Sequence, residues 1–325
     1  VWFDVILLVG GMIALIYAAD RLVRSAVTIS RAFGVSAVLI GAVVIGFGTS
    51  VPEFVVSGLA AVEGELDLAV ANVVTSNVAN VTLVLGAAAV VSVLVARRQV
   101  IRREGALMLA AVVVLAVVLA DGWLAFWEGV VLFVLLGGAI ALMLRWSTDD
   151  PDGVAKALGD VETGVAFDDD NAVGSSRWRS QVGREIIVGV VALVATVIAA
   201  NFMLDGVIGL GERFGLSVVA LGLLTGVGTS LPELAAALAS ARHKQPELAL
   251  GNVLGSNIFN SLGVIGFAAV LGPGSLDSIG PILLAAMVVA AVVAGLFAYT
   301  GRRIDRLEGV FLLIGFFVFT VLAFR

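Results

Sequence analysis

Cysteine is absent from the 325 residues, and histidine occurs once. Without thiols the chain offers neither a disulfide framework nor a thiolate metal site, and redox compartment cannot be read from it. Charge is scarce too: Asp, Glu, Lys and Arg make up 14% of the chain, with a net charge of −6. The remainder is largely apolar. Hydrophobic residues account for 60% and mean hydropathy is +1.12, well outside the range of a soluble globular domain. These values identify an integral membrane protein.

Runs of the ~20 apolar residues that cross a bilayer recur at 2–20, 36–61, 67–95, 104–121, 125–146, 184–211, 216–241, 246–271, 277–299 and 307–324. They predict an all-α membrane protein of ten transmembrane helices, several long enough to tilt or break. The first run lacks a basic leader and a small-residue cleavage site, so it is expected to be a retained helix. The sequence starts at Val1, so an initiator methionine and a few residues are expected before it. Only Arg213 and Arg325 of the 19 Lys and Arg fall on one side of a ten-span arrangement. Because the cytoplasmic side collects Lys and Arg, a plasma-membrane protein is predicted with both termini outside and the central loop cytoplasmic. The run "RRQVIRR" at 97–103 is read as part of this positive-inside anchor.

The one long hydrophilic stretch, 147–183, holds "STDDPDG" and "FDDDNAVGSS". Its acids, Gly and Ser predict an acidic cytoplasmic linker. Regular EF-hand spacing with a closing Glu is absent, which argues against a calcium-regulatory loop. The linker separates residues 1–146 from 184–325, and the two parts match. "GFGTSVPEF" at 46–54 reappears as "GVGTSLPEL" at 226–234, and "ANVVTSNVAN" at 71–80 as "GNVLGSNIFN" at 251–260. Upstream, with a one-residue slip, "FGVS" at 33–36 faces "FGLS" at 214–217, and Asp20 faces Asn201. Each half has five predicted helices, an odd number, so the second copy enters the membrane in the opposite direction. Inverted repeats of this kind suit transport, because two oppositely oriented halves enclose a midplane site that opens to either side in turn.

The first motif puts Pro beside Glu inside a span. Pro52 and Pro232 lack the N–H that would bond the carbonyls of Gly48 and Gly228. The flanking glycines, Gly46 and Gly226 among them, are expected to let the helix unwind and release carbonyl oxygens toward a hard cation. Glu53 lies four residues after Thr49, and Glu233 four after Thr229, so acid and loosened turn share a face. A charged side chain at this depth costs at least ~2.5–3.5 kcal/mol on insertion scales and calls for a partner or a function. No Lys, Arg or His of either span is placed to neutralise these acids, so a bound cation is the natural partner.

In the second motif Asn72, Ser76 and Asn80, mirrored by Asn252, Ser256 and Asn260, fall at steps of four on one face. Two bidentate glutamates with the carbonyls of Thr49 and Thr229 reach the lower end of the ~6–8 oxygens that Ca²⁺ takes. Interhelical hydrogen bonding is the other use for such a face; its duplication beside two Glu-bearing breaks favours the ion pocket. His243 is expected in a solvated turn, and Asp205 at an outer helix end.

These motifs resemble the paired repeats of the cation/calcium exchanger superfamily, in particular the prokaryotic sodium/calcium exchangers, over roughly 36–95 and 217–271. By that resemblance Glu53 and Glu233 look like central calcium ligands, joined by the backbone oxygens of Thr49 and Thr229. Ser50, Ser230, Ser76 and Ser256, with the carbonyls of Gly46 and Gly226, look like surrounding sodium ligands. The resemblance also implies that the first helix of each half slides against the other eight. One departure is clear: many members carry Asp where this chain has Asn260, so Asn80 and Asn260 are both amides. With two carboxylates instead of three, coupling is expected to differ from the family's three-for-one, with two Na⁺, Li⁺ or H⁺ exchanged.

The predicted function is thus Ca²⁺/Na⁺ antiport by alternating access, with Ca²⁺/H⁺ antiport through the same glutamates as the alternative. A passive channel would instead show flux insensitive to a counter-ion. An intramembrane hydrolase finds neither a Ser–His nor an Asp–Asp pair here, so no enzyme activity is expected. Ca²⁺ and Na⁺ enter only as transported ions. No organic cofactor, nucleic acid or obligate protein partner is expected beyond the lipid bilayer.

Overall fold

The computed structural model describes residues 2–148, 176–215, 227–277 and 279–323, nearly all of them helical. In the first half α1 (Trp2–Phe33) is followed by α2 (Ala37–Thr49), α3 (Val51–Val62), α4 (Leu66–Val91), α5 (Arg98–Asp121) and α6 (Phe126–Thr148). In the second half come α7 (Ser176–Arg213), α8 (Leu231–Arg242), α9 (Pro246–Leu271), α10 (Pro281–Gly301) and α11 (Arg306–Ala323). Among the described residues seven helices are each long and apolar enough to cross a membrane, and α2 with α3 makes an eighth span bent by 44°. The helices α8 and α11 occupy the two remaining predicted places. Residues 216–226, where the counterpart of α2 is expected, lie outside the described residues, as does most of the acidic stretch, 149–175.

The first helix of each half is longer than its apolar run. Hydrogen bonding continues past the last apolar turn, so α1 carries Arg21, Arg24 and Arg31, which lie beyond the predicted run, and stops at Gly34. Gly34 has φ +62° and its repeat counterpart Gly215 has φ +71°, a region open to glycine at no steric cost. The turns after α3 and α8 repeat one another in the same way at Gly64 (φ +83°) and Lys244 (φ +54°). Backbone shape has outlasted residue identity there.

Four short strands fix the relation between the halves. β1 (Leu94–Val95) pairs antiparallel with β4 (Arg303–Ile304), and β2 (Trp123–Leu124) with β3 (Gly274–Ser275). A shift of 180 residues carries β1 onto β3 and β2 onto β4. The pairs therefore exchange under the repeat, and they close opposite ends of α5. This is the signature of two five-helix repeats inserted in opposite directions.

Burial sorts the helices. In α4 and α9, 78% of the most apolar window is enclosed, against 28% in α1, α5, α6, α7 and α10. The second helical motif of each half thus runs through the centre, while the other five helices show most of their surface to lipid. Glycines bring α2 against α9: a Cβ on Gly41 would sit 2.6 Å from the Leu248 carbonyl, and one on Gly251 3.1 Å from the Gly41 Cα. The long helices α1 and α7 pack antiparallel in an equally close fit, with Gly206 against the Asp4 main chain. Ion pairs pin both ends. Arg213 Nε lies 2.6 Å from Asp4 Oδ2 at one end, and Arg21 Nη2 donates to both oxygens of Glu185, at 3.0 and 2.9 Å, toward the other.

Candidate functional site

The break between α2 and α3 falls at Ser50 (φ −82°, ψ 8°), directly before Val51-Pro52. Proline is tolerated in the first turn of a helix, so the chain restarts there. The restart puts Glu53 in the first turn of α3, and at Ser230 the same geometry puts Glu233 in the first turn of α8. A helix N-terminus carries about half a positive charge, which steadies a carboxylate in a place without water. The carbonyl end of α2 faces the same gap.

Unwinding, however, does not occur before the first break. Ile40–Gly46 remains helical, widened into a π-type turn, and Ser50 N–H still donates to Gly46 O at 3.1 Å. The reason is the close approach to α9. A Cβ on Gly46 would lie 2.9 Å from Asn252 O, so the glycine serves helix contact, and the buried backbone keeps its own hydrogen bonds. Similar wide turns occupy Asn80–Val84 and Phe259–Val264, each presenting a candidate asparagine. Single π-type turns inside α-helices are frequent at functional sites. A column of rings flanks the break, with Phe47 and Phe259 centred 4.3 Å apart and Phe54 and Phe267 4.2 Å apart.

Side chains from both halves meet between these elements. Ser50 Oγ donates to Glu233 Oε1 (3.0 Å), a contact that crosses from one repeat to the other, and Ser76 Oγ donates to Glu53 Oε1 (3.3 Å). Ser256 Oγ donates to the Gly46 carbonyl (3.2 Å). Thr49, Ser50, Glu53, Ser76, Asn80, Thr229, Ser230, Glu233, Ser256 and Asn260 are all buried. Gly226 lies outside the described residues. No Lys, Arg or His is buried anywhere among the described residues, nor do three or more His, Cys, Asp or Glu cluster there.

The most telling feature is what the acids and amides leave unused. Glu53 Oε2, Glu233 Oε2, Ser230 Oγ and both polar atoms of Asn80 and of Asn260 are buried without a hydrogen-bond partner. Native interiors keep such groups to a few, because each costs about 1–3 kcal/mol, more when charged. Asn80 follows Ser76, and Asn260 follows Ser256, by one helical turn. Oxygens supplied by two carboxylates, hydroxyls and amides are the donor set of a hard cation.

The two halves are not used alike. Asn252 is fully buried, donating to Glu233 O (3.1 Å) and lying 3.4 Å from Thr49 Oγ1. Its counterpart Asn72 is only part-buried and donates instead to Ser57 Oγ (3.1 Å), one turn beyond Glu53 on α3. Sequence reasoning also passed over Asn77 and Asn257, although both repeat at the same interval. Asn257 Nδ2 donates to Asn77 O (3.3 Å) and Asn77 Nδ2 to Ser261 Oγ (2.9 Å), tying α4 to α9. Their duplication was the available signal. His243 is not simply solvated: its ring meets Asp20 on α1, which also accepts from Arg24 Nε at 2.8 Å. Asp205 is exposed.

Oppositely inserted helical repeats around a buried, acidic, oxygen-lined centre define a membrane transporter of cations. The chain belongs to the sodium/calcium exchanger protein family, whose model matches residues 3–145 and 185–325. It is 33% identical to the putative antiporter CaxA of Alkalimonas amylolytica over 97% of this chain and 96% of CaxA. It is 30% identical to the sodium/calcium exchanger MaX1 of Methanosarcina acetivorans over 98% of each chain. A solved structure of the sodium-calcium exchanger NCX_Mj, soaked with 10 mM Na⁺ and zero Ca²⁺, superposes with a TM-score of 0.81 at 26% identity, covering 99% of both chains. Cation exchange involving Ca²⁺ is thus the activity of the family to which this chain belongs.

Proposed function

We propose that this protein moves Ca²⁺ across the plasma membrane in exchange for Na⁺, both ions using one site between the two breaks. Glu53 and Glu233 are the central Ca²⁺ ligands in this reading, with backbone oxygens of Thr49 and Thr229 beside them. Ser50, Ser230, Ser76, Ser256, Gly46 and Gly226 supply oxygens for Na⁺, and Asn80 and Asn260 complete the wall as neutral groups. The observation that carries the proposal is the set of unpartnered buried oxygens, one on each glutamate, with no basic side chain buried among the described residues to neutralise them. Similarity to CaxA, MaX1 and NCX_Mj supports the same reading. Both termini are placed outside and the arginine-rich end in the cytoplasm, following the distribution of Lys and Arg.

Two carboxylates balance one Ca²⁺ or two monovalent ions, so we assign an electroneutral cycle of one Ca²⁺ against two Na⁺. Protons are the competing coupling ion, because the amides at Asn80 and Asn260 leave glutamates as the only titratable groups named in the pocket. Calcium uptake into proteoliposomes loaded with sodium is expected for the wild type and to fall at least tenfold in Glu53→Gln and in Glu233→Gln. If both variants transport like wild type, the site assignment is wrong. Replacing the sodium gradient with a pH gradient separates the coupling ions: uptake driven only by protons overturns the sodium reading and leaves the glutamate assignment standing.

A further inference from the structure

The arginine-rich end gathers exposed charge from both halves of the chain. Pairing of β1 with β4 sets Val95 against Arg303, and Ala96 N–H donates to Arg302 O at 2.9 Å. The ribbon therefore brings the 97–103 run beside the turn at 301–306. Arg98, Arg102, Arg302, Arg303 and Arg306 are all exposed there. The acids of that turn are engaged elsewhere: Asp305 N–H donates to Glu308 Oε2 (2.9 Å) and Glu308 N–H to Asp305 Oδ1 (3.0 Å), a reciprocal cap on α11. Arg97 is held by Glu247, with Nε 2.7 Å from Oε1, and Arg103 lies over the Trp146 ring.

A cavity of about 390 Å³ enters between α5 and α10, with Arg102 in its lining and Arg303 next to the lining residue Ile304 on β4. Small residues make the slot, including Gly105 and Ala106 on one side and Ala294 and Gly295 on the other, with Arg102 and Tyr299 at its edge. Its volume falls in the ordinary range for a ligand pocket, and its walls are apolar. The deep wall is made by Val81 and Leu85 of α4 and by Val253 and Leu254 of α9. These residues lie on the helices that carry Asn80, Ser256 and Asn260, so whatever fills the slot presses on the back of the ion pocket.

We propose that this cavity is a binding site for an anionic phospholipid of the inner leaflet, one acyl chain filling the slot and the phosphate held by Arg102 and Arg303. An apolar slot with the exposed Arg102 guanidinium in its lining and Arg303 one residue beyond it on β4 matches a molecule with a long hydrocarbon tail and a negative head. Basic pockets between helices at the cytoplasmic side are recognition sites for such headgroups. A zwitterionic lipid fits the slot equally well and loses the charge match.

The test uses the full chain in phosphatidylcholine vesicles carrying a trace of phosphatidylglycerol or phosphatidylcholine with a photoreactive group on the acyl chain. Labelled peptides are mapped by mass spectrometry. The phosphatidylglycerol probe is expected to mark residues 100–109 and 291–299, with preference over phosphatidylcholine falling about fivefold for each arginine removed in Arg102→Gln and Arg303→Gln. Arg303→Lys should keep the preference. Ala294→Phe, which fills the slot, should abolish labelling by both probes while the arginines remain; should this variant misfold, the arginine series decides alone. Excess inorganic phosphate should leave labelling intact, because the tail anchors the ligand. Equal labelling by both probes, or a preference that survives loss of both arginines, would mean that bulk lipid merely wets the slot and would overturn the proposal.

Discussion

At the scale of single residues, the proposed coupling turns on two amides. Asn80 and Asn260 are buried with both side-chain polar atoms unpartnered, and neither brings charge. Calcium uptake by the wild type is therefore expected to be insensitive to an imposed membrane potential. Asn260→Asp adds a third carboxylate, and its uptake should become potential-dependent with a steeper sodium requirement. Wild-type exchange that already moves net charge would rule out the two-carboxylate balance. Glu53, Glu233 and their hydroxyl neighbours were legible in the sequence, because acids beside proline in an apolar span have few uses and these occur twice. Asn77 and Asn257 were not, because their value depends on α4 meeting α9, which no local pattern records. His243 failed for a related reason: a charged turn reads as solvated until the neighbouring helix is in place.

Helix boundaries followed apolar content only where the helix ends with the membrane. That held for α10 and failed for α1, whose backbone continues through Asp20, Arg21 and Arg24 to Phe33. The extension has a use, since it carries Arg21 to Glu185. Glu185 is 2% exposed and accepts from Arg21 and from Ser25 Oγ (3.1 Å), while Arg184, largely exposed, stands 3.6 Å away. Removing Arg21 leaves the buried carboxylate only Ser25 and the exposed Arg184, so Arg21→Leu should cost up to about 3 kcal/mol. The double variant Arg21→Leu/Glu185→Leu should recover most of that loss. Denaturation midpoints in detergent check both, and equal losses in the single and double variants would show that the pair is not what holds α1 to α7. The bend between α2 and α3 was foreseen, but the unwinding expected before it does not occur, because glycine reads as freedom in a sequence and here permits contact with α9.

For the whole molecule, duplication gave the topology in advance, and the exchanged strand pairs β1–β4 and β2–β3 express it in the fold. The absence of cysteine makes motion between its parts testable, since any introduced thiols are unique. Asp4 with Arg213 joins α1 to α7, whereas Asp20 with His243 joins α1 to α8. If α1 and α7 slide together past the rest, a flexible dithiol-reactive linker across Asp20→Cys/His243→Cys should arrest calcium exchange at least tenfold. The same linker across Asp4→Cys/Arg213→Cys should leave it running. Exchange that survives both linkages would exclude the sliding pair.

The unequal grip of Asn72 and Asn252 carries a lesson about direction. A machine assembled from one part used twice, head to tail, keeps in its tightened half a drawing of what the slack half does on the return stroke. If the proposed exchanger alternates between two states related by the repeat, the other state is expected to have Asn72 holding Thr229 and the main chain at Glu53, with Asn252 released.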